Sequence, residues 1–326
     1  MAYTGGPLDP NFVNQFASTL HLLTETKGGK FAGKSMEDTI DGEYKFYDTL
    51  ASVTASEVTT ASVSGTSNTS PIASIAHDRR RVSASSYDVG LMIDSQDKLR
   101  SLIDPSAEYV QRMVSALNRK RDIEFISGIL GNASVGKAGT DTPVALGSDQ
   151  VIANNNEGLT VAKLREARAK LEIAGIDLDD PMNALYIAVT PKQIADLLAE
   201  ENVISSDYNN IQALVSGKVN NFLGFNFCIS NLLPKVDDSG VVLSWTNDAP
   251  DAGTVASPTT NGDIRSNIVW CKSGIRTVTG SDIKTEVEKR ADMRFNWYAY
   301  ASARFGAVRM EEAKVVRVDC DETVDA

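Results

Sequence analysis

The segment DPSAEYVQRMVSALNRKRDIEFISGILGN, residues 104–132, carries the strongest structural signal in the sequence. Asp104 is a good N-cap residue, Pro105 suits the first helical position, and Gly131 with Asn132 ends the pattern. Apolar residues recur between these ends at helical spacing, with some drift: Val110, Met113, Val114, Leu117, Ile123, Ile126 and Leu130. The spacing predicts one helix over about residues 105–130, about 39 Å long. A helix of this length is typical of the spine of a flat or elongated body.

Helix and strand patterns alternate after residue 159. Helical spacing over Thr160–Ala174 puts apolar residues on one face, namely Leu164, Ala167 and Leu171. Charged residues occupy the other face, namely Lys163, Arg165, Glu166 and Arg168. The apolar run Ala184–Val189 predicts a buried strand, and Pro191 opens a short helix through Leu198. Another strand is predicted to end near Ile229.

The last part of the chain, residues 294–319, is predicted to be β-structure. Apolar side chains alternate there with polar ones: Phe295, Trp297, Ala299, Ala301, Ala303 and Phe305 against Arg294, Asn296, Tyr298, Tyr300, Ser302 and Arg304. Gly306 allows a bend, and the valines at 315, 316 and 318 offer a return strand. The helices and strands together indicate an α+β fold.

Residues 50–86 differ in composition from the rest of the chain. Serine, threonine, alanine and valine dominate this stretch, and large apolar residues are almost absent. Its β-branched residues favour extended strands, and Gly65, Asn68 and Pro71 supply turn chemistry. A two-stranded hairpin with so little to bury is marginal alone in water, so it must lie on another surface. The competing interpretation is a disordered linker.

The cluster Asp78-Arg79-Arg80-Arg81 closes this stretch. Guanidinium groups bind carboxylates in a bidentate manner, so three consecutive arginines suit acidic side chains of a partner. A solvated turn is the simpler interpretation. Phosphate binding is the weakest of the three, because no aromatic or further basic residue accompanies the cluster.

Composition excludes several classes of function. The chain carries 43 acidic and 32 basic residues, a net charge of −11, which argues against an affinity for nucleic acid based on neutralised phosphates. No apolar run approaches the length of a membrane span, and residues 1–10 lack the features of a signal peptide. The three cysteines are far apart and indicate a reducing compartment. No catalytic, cofactor or metal-binding residues are predicted.

One motif requires separate treatment. Residues 28–35, GGKFAGKS, fit the P-loop expression G-x-x-x-x-G-K-[ST]. That chemistry needs a buried strand before the loop and a helix after it. The segment before it has helical periodicity instead, and several carboxylates follow within two turns. We therefore reject nucleotide binding.

The leading segment has one apolar face at roughly helical spacing, formed by Phe12, Val13, Phe16, Leu20 and Leu23. Glycines at 28 and 29 end it. The segment fits either an arm that lies on a neighbouring surface or the first helix of an ordinary domain.

The order of several short motifs resembles the major capsid proteins of tailed double-stranded DNA phages, which have the Hong Kong 97 fold. The resemblance covers nearly the whole chain. Its first half includes Phe12–Phe16, Gly42-Glu43, Phe46–Asp48, Arg79–Val82, Ile93-Asp94, Asp97-Lys98, Asp104-Pro105 and Ala116-Leu117 with Arg119 and Asp122. Its second half includes Leu159-Thr160, Lys163–Ala167, Val189–Gln193, Leu197-Leu198, Asp207–Asn209, Ala213–Val215 with Gly217, Gly224-Phe225 and Gly306–Arg309.

The resemblance implies a division of the chain into named segments. An N-terminal arm is expected over residues 1–45 and an extended hairpin, the E-loop, over 46–90. A peripheral domain is expected over 91–175 with return strands at 281–326, and an axial domain over 176–280. Capsids that crosslink themselves use a lysine in the hairpin, and residues 46–90 contain none. We therefore expect no covalent mesh between subunits.

The implied function is a structural one, with no enzyme activity. Copies of the chain are expected to form pentamers and hexamers of an icosahedral head around DNA that is bound without sequence specificity. Scaffold, portal and decoration proteins are expected as partners and a membrane is not; the location is the virion, after assembly in the host cytoplasm. The expected subunit-interface residues are Phe12, Phe16, Arg79, Arg80, Arg81, Asp94 and Asp97. The alternatives are an encapsulin-like compartment and, in a different class, a soluble α/β ligand-binding or transferase domain.

Overall fold

A computed structural model of the chain describes residues 27–50, 53, 75, 77–93, 106–177, 180–199, 221–236 and 264–322. Several predicted features lie outside these residues: the amphipathic segment at 12–23, the tip of the hairpin, the Asp104 cap and the loop over 237–262. The described helices are α1 (Ser106–Leu130), α2 (Val161–Ile173) and α3 (Pro191–Ala199). The first described strands are β1 (Met36–Thr39), β2 (Tyr44–Leu50), β3 (His77–Ser83), β4 (Ser85–Ile93), β5 (Ser134–Val135), β6 (Val151–Ile152) and β7 (Leu185–Val189). The others are β8 (Asn221–Phe222), β9 (Phe225–Ile229), β10 (Lys235–Val236), β11 (Ile264–Cys271), β12 (Ile275–Arg290), β13 (Asn296–Arg309) and β14 (Val315–Asp321).

Helix α1 lies on a four-stranded sheet of order β1-β12-β13-β4. Met113 and Leu117 are buried against the small residues that β13 turns toward the helix, Ala299, Ala301 and Ala303. Small side chains let the helix approach the sheet closely, and the helix in return removes this face of the sheet from water.

The second half of α1 packs against a different partner. Ile123, Ile126 and Ile129 join a core cluster around Trp270 of β11. The drift of the apolar stripe along the predicted helix follows from this change, because the two halves of the helix bury different faces. The predicted bounds of 105–130 agree with the observed Ser106–Leu130.

A second sheet has seven strands, in the order β6-β14-β11-β7-β9-β8 with β10 beside β11. Helix α2 covers it, and Leu164, Ala167 and Leu171 are buried against strand residues such as Ile187 and Val189. The parallel strands β7 and β9 are neighbours, with α3 in the chain between them. The predicted elements at 160–174, 184–189 and 191–198, and the strand predicted to end near Ile229, are thus confirmed.

This second unit draws on more of the chain than the predicted axial segment at 176–280. Helix α2 and strands β6 and β14, which the resemblance assigns to the peripheral segments, contribute to its core or its sheet. Strand β12 in turn crosses residues 280 and 281 without interruption. The sequence analysis did not predict strand β12, because most residues from 281 to 290 are polar or charged and exposed.

Three predictions about single residues are wrong. Strand β13 continues through Gly306, which pairs with Val278, so this glycine does not bend the chain. A Cβ atom there would lie 2.0 Å from the Ser83 carbonyl oxygen, and the glycine instead permits that close approach. The alternation predicted along β13 holds from Ala299 to Phe305, but Phe295 is exposed.

Lys163 is the third wrong prediction, since it does not lie on the solvent face of α2. Its side chain is buried, and Nζ lies within hydrogen-bond distance of four carbonyl oxygens, those of Asn154 (2.7 Å), Glu157 (2.9 Å), Gly158 (3.0 Å) and Asp319 (3.2 Å), which share its three N–H groups. The ammonium group therefore joins the loop before α2 to strand β14.

We expect Lys163→Met to lower the free energy of unfolding by about 2–4 kcal/mol, because four carbonyl groups lose their donor. Urea denaturation followed by circular dichroism measures the loss. Arg165→Met removes an exposed charge from the same helix and should change stability by less than about 0.5 kcal/mol. Equal losses in the two variants would show that Lys163 contributes no more than a surface charge.

Candidate assembly surface

Strands β2 and β3 form an antiparallel hairpin whose two faces differ in chemistry. The register pairs Phe46 with Arg81 and Asp48 with Arg79, so these side chains share a face. This finding confirms extended structure on both sides of residues 51–76. We call this surface the hairpin face; it consists of Tyr44, Phe46, Asp48, Leu50, Arg79 and Arg81.

The hairpin face leaves large apolar side chains in water. Leu50 is 64% exposed and Phe46 is 40% exposed. The guanidinium of Arg81 lies 4.6 Å from the Tyr44 ring centroid, and that of Arg79 lies 5.7 Å from the Phe46 ring centroid. Cation–π contacts of this kind hold the arginines over the rings. Contiguous exposed apolar groups rimmed by charge mark surfaces that bind other molecules.

Arg79 also forms an ion pair within the hairpin, to Asp48. The hydrogen bond from Arg79 holds the pKa of Asp48 below its ordinary value. A lowered carboxyl pKa means that the pair stabilises the hairpin above the ordinary pKa of aspartate and is lost as the pH falls through the lowered one. Arg81 has no carboxylate partner among the described residues.

Arg80 points the other way, because successive side chains on a strand project to opposite faces. Its side chain is buried, and Nη2 lies 3.0 Å from Oε2 of Glu312 and 3.3 Å from Asp78. The three arginines therefore do not form one cluster: two lie on the hairpin face and one anchors the hairpin to the body of the subunit.

Glu312 connects this anchor to helix α1. The same carboxylate lies 3.5 Å from Nε of Arg309, which is fully buried. Arg309 donates to the carbonyl oxygens of Ile129, Gly131 and Val144, and the first two of these end α1. Burial lowers the pKa of Arg309. Glu312 thus contacts both Arg80 of the hairpin and Arg309, the arginine that binds the end of α1.

Residues 30–40 lie within the body of the subunit, although the resemblance places them in the arm. Phe31 is 3% exposed and stacks on Phe125, with ring centroids 5.0 Å apart. The buried carboxylate of Asp122 on α1 accepts hydrogen bonds from the backbone N–H groups of Lys30 (3.2 Å) and Phe31 (3.5 Å). Burial raises the pKa of Asp122. Whether residues 1–26 reach neighbouring subunits stays a prediction.

The P-loop match does not have P-loop geometry. Strand β1 begins directly after Ser35, where a phosphate-binding loop requires a helix. The Lys34 ammonium donates to the Lys30 carbonyl oxygen at 2.5 Å. Nor do three or more histidine, cysteine or acidic residues come together as metal ligands anywhere in the described part of the chain.

Of the seven predicted interface residues, the structure describes the three arginines. Phe12, Phe16, Asp94 and Asp97 lie outside the described residues. Sequence reasoning missed the apolar part of the hairpin face, although Tyr44, Phe46, Asp48 and Leu50 stand at alternate positions in the sequence. That period of two was the available signal.

Comparison with known proteins identifies the family of the chain and shows which solved structures share its fold. The profile of the phage capsid protein family matches residues 8–322. The capsid structure of cyanophage Pam1 superposes with a TM-score of 0.70 over 100% of both chains, at 12% identity. For the acid-stable capsid of Helicobacter pylori bacteriophage KHP30, the TM-score is 0.68 over 99% of both chains, at 11% identity. For the capsid of cyanophage P-SCSP1u, it is 0.66 at 20% identity, over 97% of this chain and 95% of that one. Among curated proteins, none matches this chain in sequence.

The fold is therefore that of a phage capsid subunit, with few helices and several sheets. The chain belongs to the phage capsid protein family. Its role is the structural one of a major capsid protein, which assembles in many copies into the shell of the virion. Neither the encapsulin-like compartment nor the soluble ligand-binding domain gains support from these comparisons. None of the described helices is long and apolar enough to cross a membrane.

We expect Arg80→Met to lower the free energy of unfolding by about 2–3 kcal/mol, because it removes the buried partner of Glu312. Arg79→Met removes the adjacent, exposed arginine and should cost less than about 1 kcal/mol. Guanidinium chloride unfolding of unassembled subunits compares the two variants. A cost for Arg79→Met equal to that of Arg80→Met would contradict the assignment of the two faces.

We expect Asp122→Asn to lower the free energy of unfolding by about 1–3 kcal/mol. Both carboxylate oxygens accept backbone N–H groups, whereas an amide offers one acceptor and turns a donor toward the other N–H. Glu124→Gln makes the same chemical change two residues along α1, at a partly exposed ion pair, and should cost less than about 0.5 kcal/mol. Thermal unfolding of both variants provides the test, and a loss no larger than that of the control would refute the role of Asp122.

Proposed function

We propose that copies of this chain assemble as pentamers and hexamers into the icosahedral head of a tailed phage, and that the hairpin face makes contacts between them. The family match over residues 8–322 is the observation that carries the proposal. Assembly takes place in the host cytoplasm, and the finished shell is part of the virion. Scaffold, portal and decoration proteins are the further partners proposed.

The hairpin supports this proposal because burial of its exposed apolar side chains against a second surface would be favourable. Leu50 and Phe46 remain in water in the single subunit. Complete burial of such a side chain contributes about 1.5–3 kcal/mol. A shell repeats the contact many times, so modest contacts suffice to resist the pressure of packed DNA. The same reasoning applies to Phe12 and Phe16 in the leading segment, and Asp94 and Asp97 are proposed as further contact residues.

The acidic character of the chain supports enclosure of DNA without sequence-specific binding. With a net charge of −11, the subunit lacks the excess of lysine and arginine that neutralises phosphates. Duplex DNA inside the shell is therefore repelled on average and does not adhere to the wall.

The experiment is to purify the chain and examine it by electron microscopy and analytical ultracentrifugation. Wild-type protein should form closed particles above a critical concentration. Phe46→Ala with Leu50→Ala should raise that concentration at least about tenfold, because the contact loses more than about 1.4 kcal/mol. Stability of the unassembled subunit should hardly change, since both side chains are exposed there.

Ile173→Ala is the matched control, because Ile173 is an 85% exposed apolar residue on α2. It should leave both assembly and stability unchanged. A wild-type chain that stays a small soluble oligomer would refute the shell-forming function. Wild-type shells with normal assembly of the hairpin variant would refute only the contact role of the hairpin.

A further inference from the structure

The hairpin of β2 and β3 is connected to both outer strands of the four-stranded sheet. The sheet has the order β1-β12-β13-β4, so β1 and β4 are its edges among the described strands. Residues 40–43 lead from β1 into β2, and only Ala84 separates β3 from β4. Because β2 and β3 pair with each other, the two legs of the hairpin come from opposite edges and meet over the central strands. We call the connecting segments the hairpin root; it consists of residues 40–43 and 83–84.

Two glycines of the central strands make room for the hairpin root. At Gly280 of β12, a Cβ atom would lie 3.2 Å from the Ile40 carbonyl oxygen. At Gly306 of β13, a Cβ atom would lie 2.0 Å from the Ser83 carbonyl oxygen. The backbone of each leg therefore touches the backbone of a central strand, which only glycine permits at so short a distance. The root is seated directly on the sheet at these two points.

Arg304 of β13 binds both legs of the root. Its neighbours Ala303 and Phe305 are buried under α1, so its own side chain projects from the opposite face of the sheet. Its Nη2 donates to the Gly42 carbonyl oxygen at 2.8 Å, and its Nε donates to the Ala84 carbonyl oxygen at 3.2 Å. One guanidinium group thus holds the chain where it enters the hairpin and where it leaves it.

Gly280 also determines where the arginine side chain lies. A Cβ atom at residue 280 would be 2.9 Å from Cδ of Arg304 and 3.2 Å from its Cγ. The stem of Arg304 therefore crosses β12 directly over this glycine, which brings the guanidinium group to the Gly42 carbonyl oxygen. The planar guanidinium presents its N–H donors in fixed directions, whereas the donors of a lysine ammonium rotate. A group with fixed donors sets the positions of two carbonyl groups relative to each other.

The other polar contacts between the hairpin and the body hold one leg each. Asp38 of β1 lies 2.6 Å from Nζ of Lys45 and accepts a hydrogen bond from the Tyr47 hydroxyl group at 3.0 Å, and both partners are on β2. Arg80 of β3 pairs with Glu312. Arg304 differs from these residues because it binds both legs at once, so a rotation of the hairpin about either leg breaks one of its two hydrogen bonds.

We propose that Arg304 is a positioning residue for assembly, which fixes the direction in which the hairpin leaves the subunit and so presents the hairpin face to a neighbour. This inference rests on the proposed function. A small rotation at the root displaces the far end of the hairpin by much more. At about 3.3 Å per residue, Leu50 lies about 20 Å along β2 from Tyr44, so a rotation of about 10° moves it by about 3.5 Å. A displacement of this size separates side chains that are in contact.

Arg304→Met tests the effect on assembly, with Arg168→Met as the matched control. Arg168 is also a partly buried arginine that donates to a carbonyl oxygen of another element, that of Leu223 at 3.0 Å, but it lies on α2 beside the other sheet. Arg304→Met should raise the critical concentration for particle formation at least about tenfold, and Arg168→Met should change it less than about twofold. Thermal unfolding of the unassembled subunits should show small and similar losses in both variants, because water can replace partly exposed partners.

The direction of the hairpin is measured in unassembled subunits, below the critical concentration, by double electron–electron resonance. Spin labels are attached to His77→Cys on β3 and Ala169→Cys on α2, which are exposed positions, whereas the three native cysteines are buried. Arg304→Met should broaden the distance distribution at least about twofold, because the root is less restrained. An unchanged distribution would overturn the proposal, as would normal assembly of a folded Arg304→Met variant.

Arg304→Gln gives a second measurement if Arg304→Met does not fold. Its side-chain amide can still donate to the Ala84 carbonyl oxygen but is too short to reach that of Gly42, so one leg is released. It should broaden the distance distribution and weaken assembly in the same direction, and wild-type behaviour of this variant would refute the positioning role. A wild-type chain that forms no particles would instead refute the proposed function.

Discussion

The alternation of side chains along a strand is the constraint that decides which residues of this subunit are buried and which lie on its surface. In β3 it turns Arg80 into the body and leaves Arg79 and Arg81 outside. In β13 it buries the alanines under α1 and presents Tyr298 and Tyr300 on the other side. A shift of either strand by one residue would exchange the two sets of side chains. The same residues that fix the register therefore determine which surfaces the subunit offers to its surroundings.

A second consequence concerns how the hairpin is held. A two-stranded ribbon is marginal in water, and among the described strands only the two-residue β5 lies beside β2 and β3 in their own sheet. The buried side of the ribbon compensates, since Val82 packs against Ile40, Val278 and Val308. Arg80 also holds the ribbon through its ion pair with Glu312. Glu312 contacts Arg309 as well, and Arg309 donates to the Gly131 carbonyl oxygen at the end of α1. These contacts connect the hairpin to α1, the longest helix in the described part of the chain.

Local patterns in the sequence predicted the helices and the buried strands well, because each depends on apolar residues at a fixed period. The drift along α1 was visible, but its cause was not, since the second partner around Trp270 is more than 100 residues away in the chain. Lys163 could not be placed, because a lysine buried by four carbonyl groups looks like any other charged residue in the sequence. Strand β12 was not predicted, because the residues of its second half are mostly exposed and show no apolar residues at every second position. The arginine triplet was noticed as a cluster, but its division between two faces requires the register of β3.

The geometry of the proposed contact bears on the form of the assembly. A contact between the hairpin face of one copy and a different surface of the next copy is heterologous, and it leaves an unused copy of each surface on every pair. Such contacts end only when a ring closes, or else they continue as an open filament. Rings of five and six subunits are closed solutions of this kind that differ slightly in rotation. The hairpin face carries arginine side chains over aromatic rings. Such a surface tolerates a difference in rotation better than a close-packed apolar one, because guanidinium groups can slide over a ring and still reach a carboxylate.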